Sequence, residues 1–118
     1  MFSKNTIFVS SVSPSDEVGL SYELNQLYSS LRSDNFIYRC IDLISETLLE
    51  NCMVGNQIQR RNIPRYYVSK YGVNNLYRYR LPSGYRGIYT ILVNDGKVQS
   101  WILEILDHKT YEIRFGYS

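Results

Sequence analysis

A chain of 118 residues with 44% hydrophobic and 20% charged side chains supports one domain with a modest core and is too short for two. That balance excludes a disordered chain, and no apolar run reaches the length of a membrane span. The formal charge of +2 conceals a polarised sequence: residues 1–50 carry three bases and seven acids, residues 51–94 seven bases and no acid, and residues 95–118 three bases and four acids.

In chain order, the opening "MFSKNTIFVSSVS" has one lysine and a three-residue apolar run. That is too short for a secretory signal, so a cytoplasmic location is expected. Residues 6–12, "TIFVSSV", read as a first strand. A helix is expected next, with Ser13 as N-cap, Pro14 at its first position, and Asp16 and Glu17 complementing its dipole. Leu20, Leu24, Leu27 and Leu31 would form its apolar stripe. Asp34 is expected to cap a second helix running to about Glu50, with Ile37, Ile41, Ile44 and Leu48 on its buried face. Two such helices form an antiparallel hairpin that needs a sheet to cover its stripes.

Gly55 and Pro64 punctuate the following stretch, which reads as loop with one strand near Tyr66 to Val68. From residue 75 onward the pattern is β: "NLYRYRL", "YRGIYTILV" and "KVQSWILEIL", the last two joined by the hairpin signal "NDG". The expected fold is a single α+β domain over 1–118, an N-terminal strand with a helical hairpin packed on a mostly antiparallel sheet. Cys40 and Cys52 lie at no metal-binding spacing and read as buried, reduced thiols.

The chain has one histidine, His108, which excludes a site built on several. No nucleophile elbow, phosphate-binding glycine loop or dinucleotide fingerprint is present. Gly84-Tyr85-Arg86-Gly87 matches a GxxG pattern but lies between expected strands, whereas the RNA-clamping loop of that form lies between helices. The acid-free segment 51–94 also holds seven of the twelve tyrosines, and bases interleaved with aromatics are the footprint of a polyanion site. A solvated basic face is the alternative. Arginine offers a fork of donors matched to phosphate, and tyrosine a stacking face and a phenol. Several cations and a tyrosine, without metal or carboxylate pair, suit phosphodiester chemistry on RNA, whose own 2′-hydroxyl can attack.

"YRYRLPSGYRGIYTI" followed by a hydrophobic strand and "DHKTY", with the "VGNQI...IPRYYV" connection, resembles the RelE/ParE toxin superfamily, and within it the RelE-type mRNA interferases. The resemblance spans nearly the whole chain and is specific from about residue 54 onward. It implies the toxin of a type II toxin–antitoxin pair, a ribosome-dependent endoribonuclease that cuts mRNA in the ribosomal A site without metal or other cofactor. It also implies a cognate antitoxin, which we expect to be acidic and to fold on binding. By the same resemblance Arg78 and Arg80 fall at an alternating basic pair, Arg86 on the next strand, Lys109 at a later basic position and Tyr111 at the family's tyrosine. Arginines where lysine would serve proton transfer better leave Tyr111 or His108 as candidates for the general base.

Arg60, Arg61, Arg65 and Lys70 would supply a general RNA-binding field. Alternatives weighed for single residues are an edge-strand solvent face for Arg78 and Arg80, pairing with Asp42 or Glu46 for Arg86, and competition between Tyr111 and Tyr117. Tyr66, Tyr67 and Tyr77 read as packing residues. ParE-type relatives share the fold yet inhibit DNA gyrase without cutting RNA, so a non-enzymatic gyrase inhibitor and an inactive binding protein remain alternatives.

Overall fold

Among the described residues the β-rich runs pair into a five-stranded sheet that carries helices on both faces. A computed structural model describes residues 12–116. Its elements are β1 (Glu17–Leu20), α1 (Tyr22–Ser30), α2 (Phe36–Glu50), β2 (Asn56–Gln57), α3 (Arg65–Tyr71), β3 (Tyr77–Arg80), β4 (Arg86–Asn94), β5 (Lys97–Leu106) and α4 (His108–Phe115), with short 3-10 turns at Arg60–Asn62 and Pro82–Gly84. The strands lie in the order β1-β5-β4-β3-β2. Only β1 runs parallel to its neighbour, and the other pairings are antiparallel. The β4–β5 hairpin closes at Asp95-Gly96, both at positive φ (53° and 77°), as the tight turn matched to strand twist requires.

Strand alternation divides the apolar side chains into two cores. On one face Leu24 of α1 and Ile41, Ile44 and Leu48 of α2 pack on Tyr77, Tyr89 and Ile102. Ile44 and Leu48 are fully buried, each contributing about 1.5–3 kcal/mol of transfer free energy. The helix can approach so closely because residue 87 is glycine: a Cβ there would lie 2.4 Å from Ile44 Cδ1. On the opposite face Tyr67 of α3 and Tyr111 of α4 pack on Ile88, Leu103 and Leu106. A bulge serves this second face. Ile88 pairs with Glu104 while Tyr89 pairs with Ile102, so Leu103 is the extra residue and Leu103 and Glu104 both turn toward α3 and α4.

The α+β class and the helical hairpin on one face agree with expectation, but several local expectations do not. The strand expected at 6–12 lies outside the described residues except for Val12. The first helix does not begin at Ser13-Pro14. That segment is tied to the end of α2 through Cys52 N–H to Ser13 O (2.7 Å) and Ser15 N–H to Leu49 O (3.1 Å), and Glu17–Leu20 then pairs with β5. The helix starts after Ser21, whose hydroxyl accepts from Leu24 N–H at 3.2 Å and donates to Leu103 O at 2.7 Å. Its stripe is consequently shorter: Leu20 is on a strand, Leu27 is 43% exposed and Leu31 ends the helix. For α2 the cap is Asn35, whose side chain accepts from Ile37 N–H at 2.8 Å, in place of Asp34.

The strand expected near Tyr66 to Val68 is instead helix α3, ended by Gly72 in the left-handed region. Helix α4 was not expected at all. Its N-cap is Asp107, which accepts from Thr110 N–H at 2.7 Å; this hydrogen bond, the largest cause, holds the Asp107 carboxyl below its usual value. Cys40 and Cys52 are free and buried. Among the described residues no helix is long and apolar enough to cross a membrane.

Candidate functional site

Tyr77 and Tyr79 pack toward the α1–α2 face, so alternation turns Arg78 and Arg80 to the α3–α4 face. In the β3–β4 register Arg80 stands directly opposite Arg86, and Arg78 opposite Ile88. Like charges placed directly opposite on neighbouring strands destabilise a sheet, so this sheet holds an arrangement that its folding does not favour. Helix α4 then crosses beside them. A cleft of about 230 Å³ results, lined by Arg78, Arg80, Arg86, His108, Tyr111 and Glu112.

Each member is held differently. Arg78 Nη1 donates to Tyr111 Oη at 2.5 Å. A guanidinium can only donate, so the phenol is the acceptor in this bond. Arg86 Nη1 donates to Gly84 O (3.0 Å) and Tyr85 O (3.2 Å), and its Cζ lies 5.4 Å from the Tyr111 ring centroid. Those carbonyls belong to the tight turn at residues 82–85, where Ser83 adopts φ 61°, an uncommon conformation for a non-glycine residue. The same turn abuts α4, since a Cβ on Gly84 would lie 3.7 Å from His108 Cβ. Arg80 is exposed and makes no ion pair with a described residue. One helical turn separates His108 and Glu112, joined Nε2 to Oε2 at 3.1 Å.

Helix α4 is clamped in place by a carboxylate that sequence reasoning passed over. Arg114 Nη1 donates to both oxygens of Glu104, at 2.6 and 2.8 Å, and Tyr67 Oη donates to Glu104 Oε1 at 2.6 Å. Tyr66 Oη joins at 3.3 Å while the Arg114 guanidinium lies 3.9 Å above the Tyr66 ring. Burial, then the bond to Glu104, pushes the Tyr67 phenol well above its usual value. Tyr111 and Phe115, at 4.7 Å, complete the seat of the helix.

The expected site residues therefore separate into two groups. Arg78, Arg80, Arg86, Tyr111 and His108 come together. Lys109 is exposed on α4 and does not line the cleft. None of Arg60, Arg61, Arg65 and Lys70 lines it either. Arg60 donates to Asn74 O at 3.2 Å, and Arg61 and Arg65 are exposed. Lys70 pairs with Glu23 at 3.3 Å beside a larger cavity, about 400 Å³. That cavity is mostly apolar, with Tyr22, Tyr71, Leu92 and Trp101 in its walls, and shares no residue with the arginine cleft. It is the larger space, but the convergent cations lie elsewhere, and we assign the chemistry by charge and geometry.

Arg86 does not pair with Asp42 or Glu46. Both acids lie on α2, across the sheet, and Asp42 accepts from Tyr28 Oη at 2.6 Å. Tyr67 and Tyr77 are buried packing residues, the latter stacked on Tyr89 at 5.2 Å; Tyr66 packs edge-on against Tyr67. Tyr117 lies outside the described residues. Glu112 is the cleft residue that the sequence left unmarked. Among the described residues no three His, Cys, Asp or Glu side chains gather as metal ligands would.

What the cleft offers chemically is three cations that keep their charge, two of them on a rigid sheet directly opposite each other, beside a phenol, an imidazole and a carboxylate. Comparison of the chain with protein-family models, with curated proteins and with solved structures returned no match.

Proposed function

We propose that this protein is a RelE-type endoribonuclease, the toxin of a type II toxin–antitoxin pair, which cuts mRNA on the ribosome. The observation that carries the proposal is the cross-strand pair Arg80–Arg86 with Arg78 on the same face. Among the described residues three guanidiniums share the cleft with one carboxylate, Glu112, and that carboxylate is turned to His108. An anionic ligand relieves their repulsion, and a phosphodiester matches their forked donors.

In the proposed reaction the 2′-oxygen attacks the adjacent phosphorus. The 2′-O–P bond forms and the P–O5′ bond breaks, leaving a 2′,3′-cyclic phosphate upstream and a 5′-hydroxyl downstream. Negative charge grows on the phosphate oxygens as the phosphorane forms, and Arg86, fixed on β4 by the carbonyls of residues 84 and 85, stabilises it in the transition state more than in the bound substrate. Arg78 and Arg80 hold the phosphate, and Tyr111 orients Arg78. A proton must leave the 2′-hydroxyl and another reach the 5′-oxygen, and Tyr111 and His108 are the groups the sequence offers for this.

Such a cleft calls for a partner that neutralises it. We expect an acidic antitoxin segment, disordered until bound, that covers Arg78, Arg80 or Arg86 or displaces Tyr111. The test is translation of a defined mRNA with the protein added, with 5′-hydroxyl ends mapped to codon positions. Cleavage confined to ribosome-occupied codons is the expected result. Intact mRNA together with inhibited gyrase supercoiling supports the ParE-like alternative, and no effect in either assay leaves an inactive binding protein.

A further inference from the structure

We propose that His108 and Glu112 form the acid–base pair of this cleft, with Glu112 taking the proton from the 2′-hydroxyl and His108 giving one to the departing 5′-oxygen. The assignment deepens the endoribonuclease proposal and rests on it. Glu112 comes into view only with helix α4, which was not expected from the sequence and which sets this residue in the cleft.

Arg78, Arg80 and Arg86 cannot release a proton in the range where proteins work. The Tyr111 phenol is committed as acceptor to Arg78 at 2.5 Å, on a residue only 4% exposed. That arrangement fixes a guanidinium and gives the phenol little freedom to follow a proton. Among the described residues the remaining lining side chains are His108 and Glu112, 59% and 41% exposed. Both are open to a substrate and to exchange with water.

On α4 the two side chains stand one turn apart on the same face, joined through His108 Nε2 and Glu112 Oε2 at 3.1 Å. The inner bond leaves His108 Nδ1 and Glu112 Oε1 as separate outer atoms, so the pair presents a donor and an acceptor at two points. Its position is set on both sides. Tyr111, between them in sequence, is buried in the second core, and His108 Cβ lies against the Gly84 turn whose carbonyl holds Arg86. An exposed i,i+4 pair contributes little to stability on its own, so folding alone gives it no strong purpose beside three arginines.

The proton balance closes. The 2′-hydroxyl proton passes to the Glu112 carboxylate as the 2′-O–P bond forms. The imidazolium of His108 passes its Nδ1 proton to O5′ as the P–O5′ bond breaks. Glu112 ends protonated and His108 neutral, and the exposed pair recovers its starting charges by exchange with water.

The test uses single-turnover cleavage on programmed ribosomes by wild type, His108→Gln and Glu112→Gln. The mRNA carries either the ordinary 5′-oxygen or a 5′-bridging sulfur at the cleaved linkage. Sulfur leaves without protonation, so loss of the acid alone is rescued. With oxygen, both variants should be about a hundredfold slower or more, the usual size of a lost acid or base, with ribosome affinity unchanged. With sulfur, His108→Gln should return to within a few-fold of wild type while Glu112→Gln stays slow. If both variants cut the oxygen substrate within threefold of wild type, the pair is only a surface contact and the assignment is overturned while the endoribonuclease proposal stands. If sulfur fails to rescue His108→Gln, or rescues Glu112→Gln instead, the roles are wrong. If wild type cuts neither substrate, the endoribonuclease proposal fails and this assignment fails with it.

Discussion

Replacing Arg80 by glutamine should make the protein more stable and weaken its hold on RNA. Arg80 and Arg86 are directly opposed on adjacent antiparallel strands, which sets their Cβ atoms about 5 Å apart. A charge separation of roughly 7 Å, the reach of near neighbours across such strands, is taken for the two guanidiniums. At that separation two unit charges repel by about 0.6 kcal/mol in bulk water and roughly 2 kcal/mol at the effective dielectric of a protein surface. Arg80 is exposed, so the lower part of that range applies, about 0.5–1 kcal/mol. For a domain of this size such a gain corresponds to a rise in Tm of roughly 2–5 °C. Thermal unfolding followed by circular dichroism at low ionic strength measures it. The gain should vanish near 1 M salt, where the screening length falls to about 3 Å. A Tm that falls on substitution, or a gain that persists unchanged in high salt, would show that the two arginines do not repel each other, and the strained cation cluster would lose its basis.

Arg86→Ala should lower the cleavage rate by about a hundredfold or more, as removal of one preorganised donor does, with ribosome affinity changing far less; equal losses in rate and affinity would make Arg86 an anchor instead. Arg114→Met should destabilise the fold by about 2–4 kcal/mol in urea titrations, because it strands the largely buried Glu104 carboxylate without its cation, and the double variant with Glu104→Gln should recover part of that loss. For Asp107 the native carboxyl titrates below the ordinary 3.8 because Thr110 N–H holds the charged form. Its contribution is therefore present above that value and lost as pH falls through the lower, folded one. Helix α4 should fray in hydrogen exchange as pH drops below about 4, and Asp107→Asn, which caps without a charge, should remove that acid step.

The strong hydrophobic patterns were legible in the sequence and the short polar elements were not. Ile41, Ile44 and Leu48 recur at helical spacing, and burial against a sheet is the outcome such spacing dictates. Arg78 and Arg80 were legible as a same-face pair because a strand has period two. Their opposition to Arg86 was not, since register depends on the length of the 82–85 turn and on the Gly87–Ile44 approach. Helix α3 misled because "RYYVSKY" is rich in aromatics that favour strands, and burial of Tyr67 against Ile88 and Leu103 overrode that preference. Helix α4 did carry signals, with Asp107 as N-cap and Gly116 as the left-handed residue after its end. Weighing them would have set His108 and Glu112 one turn apart. The tie from Glu104 to Arg114 and Tyr67 depends on the bulge at Leu103, which no periodicity announces.

The most direct measurement of the central claim is the fate of an mRNA carrying a single 2′-deoxynucleotide immediately 5′ of the mapped cleavage site. Without that hydroxyl there is no internal nucleophile, so cleavage at that linkage should disappear while neighbouring linkages remain susceptible. The upstream product of the unmodified message should end in a 2′,3′-cyclic phosphate. Undiminished cleavage of the 2′-deoxy message, or an upstream fragment that never carries a cyclic phosphate, would contradict attack by the RNA's own hydroxyl in this arginine cleft.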